Sequence, residues 1–260
     1  MNIAALSGSQ KLAGSSLAFL LMCAAALHAE GPEKLVPAGD ALDEKNKNSE
    51  ALSFYLEAAA QSPNDAEILR RISKQYAQLM LDAPDSREKK LLGEKAIDAA
   101  KSAVKADPAN SQAHLALAIA YGRVALDESS RQKVEMSRLV QQEAEAAARL
   151  DPRNDLAWHV LGRWNYELAN FNPVLKALAQ TIYGRLPDAS NERAVECFQK
   201  AVALQPQRVA HHLELGRSYL ALGETQRARE QFNEGISLPS TEKSDDDDKQ
   251  RALATLDRLR

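Results

Sequence analysis

Four prolines set a register for most of the chain. Counting forward from Pro63, Pro108, Pro152 and Pro206, the ninth residue is Ile72, Leu117, Leu161 and Leu215. The tenth is small each time (Ser73, Ala118, Gly162, Gly216), and the thirteenth is Tyr76, Tyr121, Asn165 and Tyr219. Counting back, the fifth residue is always alanine: Ala58, Ala103, Ala147 and Ala201. The twelfth back is Ala51, Ala96, Val140 and Ala194. A unit that recurs in this way cannot bury its apolar face alone and does so by stacking on its own copies. The apolar residues recur with helical period, so the stacked unit is a pair of helices.

Each offset has a packing role. A small residue beside a leucine lets the two helices of a hairpin approach closely, and the aromatic one turn later fills the space where the next unit stacks. The proline ends the second helix and opens the turn. Leucine–small–aromatic, then alanine, aromatic and proline, resembles the tetratricopeptide repeat, most closely in Leu215, Gly216, Tyr219, Leu222, Gly223, Ala228, Phe232 and Pro239. That repeat runs about 34 residues. The interval from Pro206 to Pro239 fits it; the three earlier intervals are longer by about 10, 10 and 20 residues, the excess lying between the paired helices. The expected fold is all-α: a tetratricopeptide-like, right-handed α-solenoid of four to five helical hairpins, with an insert helix and a C-terminal capping helix.

The 260 residues are 45% hydrophobic, enough for a large core. A net charge of −3 offers no basic face, which argues against nucleic-acid binding. Residues 1–29 stand apart. Lys11, an apolar run over 12–27 and His28-Ala29 before charged residues read as a signal peptide cut after Ala29. An uncleaved anchor is the alternative, and Met22 before Cys23 speaks against a lipoprotein site. Export to the periplasm or medium follows, and N-terminal sequencing from the native host should read from Glu30; an intact Met1 in a soluble cytoplasmic fraction would refute it. Residues 30–48, with two prolines, two glycines and many charges, read as a linker, leaving 49–260 as the repeat domain. Helices are expected over 49–61, 65–81, 86–106, 111–126, 130–150, 155–170, 191–204, 208–222, 224–237 and 249–260. Pro173 opens an extra helix within 170–190, with Val174, Leu178 and Ile182 on one stripe, Leu175 alongside, and Gly184 and Pro187 stopping it.

The segments HLALAIAYGRVA, LDPRNDLAWHVLGRWNYELANF, VLKALAQTIYGRLP and ERAVECFQKAVALQP resemble the regulator of microtubule dynamics family over roughly residues 50–260. The resemblance implies a non-enzymatic, tetratricopeptide-like fold. Animal members are linked to microtubules, to organelle contact sites and, in one case, to phospholipid binding by the repeat domain. This chain departs from them in its bacterial-type N-terminal signal.

No catalytic constellation is present: HExxH, GxSxG, GxxxxGK[ST] and GxGxxG are all missing, and no metal or cofactor is expected. His114 and His212 share an offset with Leu69 and Trp158, a packing position, and the neighbours His211 and His212 point to different sides of a helix. Cys197 reads as a small buried hydrophobe. The run Asp245–Asp248 lacks the spacing of a calcium loop and reads as a solvated tether before the last helix. In a tetratricopeptide stack the first helix of each hairpin lines the concave face. Offsets seven, eleven, fourteen and fifteen then select a groove of Arg123, His159, Arg163, Tyr166, Leu213, Arg217 and Leu220. Guanidinium groups beside apolar walls suit a carboxylate, a phosphate or an acidic peptide. The expected partner is a peptide or protein. The alternative is a phospholipid or other anionic amphiphile, with peripheral membrane contact.

Overall fold

The turns that the prolines mark also start the helices. Two residues after Pro63, Pro108 and Pro152 stand Asp65, Asn110 and Asn154, and each side chain accepts a hydrogen bond from a backbone N–H of the helix it opens. Asp85, Ser129 and Ser190 cap the remaining long segments in the same way. Such caps satisfy amide groups that have no partner within the helix. Gly223 takes φ +77° in the tight turn of the last hairpin, a backbone region that favours glycine.

The computed structural model describes residues 31–183 and 188–259, and their regular structure is entirely helical. In chain order the elements are α1 (Pro32–Asp43), α2 (Asn48–Gln61), α3 (Ala66–Leu79) with a 3-10 turn at Met80–Asp82, and α4 (Ser86–Ala106). There follow α5 (Ser111–Ala125), α6 (Ser130–Leu150), α7 (Asp155–Ala169), α8 (Pro173–Tyr183) and α9 (Asn191–Leu204). The last are α10 (Val209–Ala221), α11 (Thr225–Ser237) and α12 (Asp245–Arg258). Five hairpins pair α1 with α2, α3 with α4, α5 with α6, α7 with α9 and α10 with α11, and α12 lies across α10 and α11. The first helices also touch in sequence, α3 with α5, α5 with α7 and α7 with α10, and no comparable contact joins the second helices. The stack therefore bends toward its first helices, which form the inner face.

Close approach within hairpins rests on the small tenth residue. A Cβ on Gly162 would stand 2.8 Å from Phe198, and one on Gly216 would stand 2.8 Å from Phe232. Ser73 instead donates its hydroxyl to the Ala96 carbonyl at 2.8 Å. The extra length of the first and second long units lies in α4 and α6, each 21 residues against 13 in α11.

Three expectations change. The stretch read as a linker contains α1, the first helix of the first hairpin. Its prolines fall at the first turn and at Pro37, and packing outweighs the helix-breaking tendency. Leu35 is buried, Gly39 lies under the Tyr55 ring, and Asp40 accepts from Tyr55 Oη (2.7 Å) and Arg71 Nε (2.8 Å). The acidic run is not a solvated tether: it forms the first turn of α12. Asp245 is buried, and its Oδ2 accepts from the backbone N–H groups of Thr241 and Glu242, both at 2.8 Å. In the insert, Leu175, Leu178, Ala179 and Ile182 pack into the core shared with Val134 and Trp164, and α8 lies on α6. Val174 is instead 75% exposed. Residues 1–29, Gly184 and Pro187 lie outside the described residues.

Candidate functional site

The histidine and tryptophan at the sixth offset tie each turn to its helix. His114, Trp158 and His212 approach the carbonyls of Pro108, Pro152 and Pro206 at 3.0, 2.9 and 2.9 Å. A carbonyl only accepts, so both histidines donate from Nε2, and Nδ1 of His114 also lies 2.6 Å from Glu143 Oε2. The position read as packing is thus also a hydrogen-bonded latch.

Of the residues selected for the groove, the structure separates three kinds. Leu213 does not line it: the side chain is buried and meets Gly235 of α11. Leu220 is half-buried against the same core. Arg123 is engaged, donating Nη1 to the Ala77 carbonyl (2.5 Å) and to Gln78 Oε1 (3.1 Å). Arg217 is also engaged: its guanidinium stacks on Tyr166 at 4.9 Å and Nη1 lies 2.9 Å from both oxygens of Glu214. Arg163 is exposed and makes no hydrogen bond or ion pair among the described residues. Burial lowers the Arg123 pKa, and the nearby Arg163 charge lowers it further while Glu242 opposes both.

His159 belongs to a network that the sequence did not reveal. Its Nδ1 lies 2.9 Å from His211 Nδ1, and His211 Nε2 lies 2.9 Å from Asp155 Oδ2. If His211 donates from Nε2 to the carboxylate, its Nδ1 is the acceptor and His159 Nδ1 is the donor. Both imidazoles are then neutral. Burial agrees with this, holding His159 well below the ordinary histidine value, with the charges of His211, Arg163 and Arg208 adding to it. Burial lowers His211 too, against the pull of Asp155. Arg208 lies 3.1 Å from Asp155 and also pairs with Glu242.

Glu242 comes from the loop between α11 and α12, and that loop crosses to the second hairpin, at the turn after α3. Lys243 Nζ lies 2.7 and 2.8 Å from the two carboxylate oxygens of Asp82, 161 residues away in sequence. The inner face therefore carries Arg123, Arg163 and Arg208, and Glu242 of the chain itself acts on Arg123 and pairs with Arg208. Periodicity located Arg123, His159 and Arg163. It missed Asp155, Arg208 and His211 because they lie at helix starts, and Glu242 because its loop has no repeat.

The histidine pair makes stability depend on pH. Unfolded imidazoles take up protons near pH 6.5, which the lowered native values prevent. Stability is thus full above about pH 6.5 and falls as pH drops below it. Melting temperature should fall between about pH 7 and pH 5, and less in His159→Gln. An equal fall in both proteins would exclude His159 as its source.

Stacked two-helix units bent around an inner face of first helices define a tetratricopeptide-like α-solenoid. A thermophilic tetratricopeptide protein of Thermus thermophilus superposes with a TM-score of 0.62 at 18% identity, covering 86% of this chain and 98% of that one; at this identity the likeness speaks for the fold alone. The model of the family described as "Regulator of microtubule dynamics protein 1-3" matches residues 35–260, and the chain belongs to that family. Regulator of microtubule dynamics protein 2 of Mus musculus is 28% identical over 191 residues, 70% of this chain and 45% of the relative. Protein 3 of Xenopus laevis is 26% identical over 180 residues, 69% of this chain and 39% of the relative. Protein 1 of Mus musculus is 26% identical over 202 residues, 76% and 66%. The chain thus spans less than half the length of the first two.

Proposed function

We propose that this protein is a non-enzymatic scaffold whose inner face takes an acidic segment of a partner protein. One observation carries the reading: Arg163 is exposed and has no hydrogen-bond or ion-pair partner among the described residues, while its neighbours Arg123 and Arg217 are held by the protein itself. The same face already accommodates a carboxylate, that of Glu242 on Arg208. An extended acidic peptide presents the same group to Arg163, with Tyr166 and the half-buried Leu220 as apolar neighbours. The relatives are named for microtubule dynamics; for this chain the chemistry specifies an acidic polypeptide. The apolar side of α8 packs on α6, which supports the peptide reading over one in which α8 walls an acyl chain.

A labelled synthetic peptide of alternating Glu and Leu tests the reading by fluorescence anisotropy, with phosphatidylserine vesicles as a parallel probe. A charge-assisted hydrogen bond contributes about 1.5–3 kcal/mol, so Arg163→Ala should bind the peptide roughly tenfold to a hundredfold more weakly. Unchanged peptide affinity in Arg163→Ala would refute the site. Retention on vesicles but not by the peptide would favour the lipid alternative.

A further inference from the structure

We propose that the outer cavity between α6, α7 and α9 is a socket for a tyrosine side chain presented by a partner polypeptide. This site lies opposite the groove and stands independently of it. In the fourth long unit, Tyr219 is 3% exposed. The guanidinium of Arg227 lies 4.1 Å over its ring, and Arg227 Nη2 donates to its Oη at 2.6 Å. Gln199 Nε2 donates to the same oxygen at 2.9 Å. The other tyrosines at this offset are also overlaid by cations, Lys95 over Tyr76 at 5.4 Å and Lys101 over Tyr121 at 6.0 Å.

The third unit keeps the walls and lacks the tyrosine. Gly162 faces Phe198 as Gly216 faces Phe232, which aligns Arg193 of α9 with Arg227 of α11. Counting seven back from Pro152 and Pro206 aligns Glu145 with Gln199. At the tyrosine position stands Asn165, whose short side chain turns Nδ2 back to the Leu161 carbonyl at 2.9 Å. Its Oδ1 is buried and has no hydrogen-bond partner among the described residues. A cavity of about 360 Å³ opens here, lined among others by Glu145, Trp158, Trp164, Asn165, Arg193 and Cys197. Burial pushes the Cys197 thiol up to about 11, so it stays protonated and adds an uncharged wall.

The wall chemistry selects the occupant. Where Gln199 donates to a phenol oxygen, the carboxylate of Glu145, one oxygen of which accepts from Gln141 Nε2 at 2.9 Å, only accepts, which favours an incoming group that donates. A phenol O–H does so, and its ring lies where Arg193 can stack as Arg227 does on Tyr219. The cavity lies at the small end of ligand pockets, the scale of one aromatic side chain rather than an extended ligand.

The test uses the full chain and p-cresol, the tyrosine side chain as a free molecule. Both tryptophans of the chain line the cavity, so their two indole N–H signals in nitrogen-15 NMR report on it directly. Millimolar p-cresol should move both signals saturably, and toluene, which lacks the donor, should bind at least about threefold more weakly. Asn165→Tyr fills the socket from within; it should abolish the shifts and raise the melting temperature. Arg193→Ala, at an exposed position, should weaken p-cresol by about threefold or more, while Arg163→Ala leaves it unchanged. Unmoved indole signals in the wild type, equal binding of toluene, or persistent binding in Asn165→Tyr would each overturn the proposal. Should Asn165→Tyr not fold, undiminished binding by Arg193→Ala overturns it alone.

Discussion

Phe198→Ala should remove about 3–5 kcal/mol of stability, the cost of emptying a fully buried phenylalanine site. The ring is 0% exposed, lies over Gly162 of the partner helix and meets the His159 ring edge-on at 5.4 Å. Its loss therefore opens a hole between α7 and α9 and withdraws support from the histidine network. Chemical denaturation followed by far-ultraviolet circular dichroism measures the effect. A loss below about 1 kcal/mol would show that the α7–α9 hairpin is not closed by this contact.

Gly162→Leu attacks the same contact from the opposite side. Three Phe198 ring atoms stand within 2.8–2.9 Å of where a Cβ would sit, and the ring has no open space to retreat into. Overpacking of this kind costs about 1–3 kcal/mol, occasionally more, whereas Lys90→Ala on the exposed face of α4 should be near neutral. The two substitutions are coupled. In the double variant the leucine enters the volume that the ring vacates, so the combined loss should fall short of the sum by about 0.5–3 kcal/mol. Strict additivity would mean that the two positions do not meet.

The residues that were legible in the sequence are those whose role repeats. The small tenth-offset residues recur in every unit and the capped turns in three of the four, and the hairpins follow from them; α4, α6 and α9 begin and end where the pattern places them. What periodicity hides is anything made once. Helix α1 carries prolines that read as breakers, and its packing through Leu35 and its contacts with Tyr55 and Arg71 hold it. Leu213 was placed in the groove by its offset, but the close approach of Gly235 draws it into the core between α10 and α11. At the inner face the offsets found Arg163 and could not show that Arg217 is already held by Glu214, since that depends on side-chain conformation. The vacant tyrosine position was visible as Asn165 in the register, but the cavity behind it was not.

The crossing of Lys243 to Asp82 has a mechanical consequence. Contacts in an open helical array are local, so such an array behaves as a spring whose ends move freely and whose opening widens with little resistance. Here the last loop is tied to the second hairpin, and the span between them can lengthen only by breaking that pair. Both partners are about half exposed, at 57% and 51%, so the tie contributes at most about 1 kcal/mol and weakens as salt screens it. Radius of gyration measured by X-ray scattering should therefore grow with ionic strength in the wild type and be insensitive to it in Lys243→Ala. The width of the inner channel then becomes a quantity that the surrounding electrolyte adjusts.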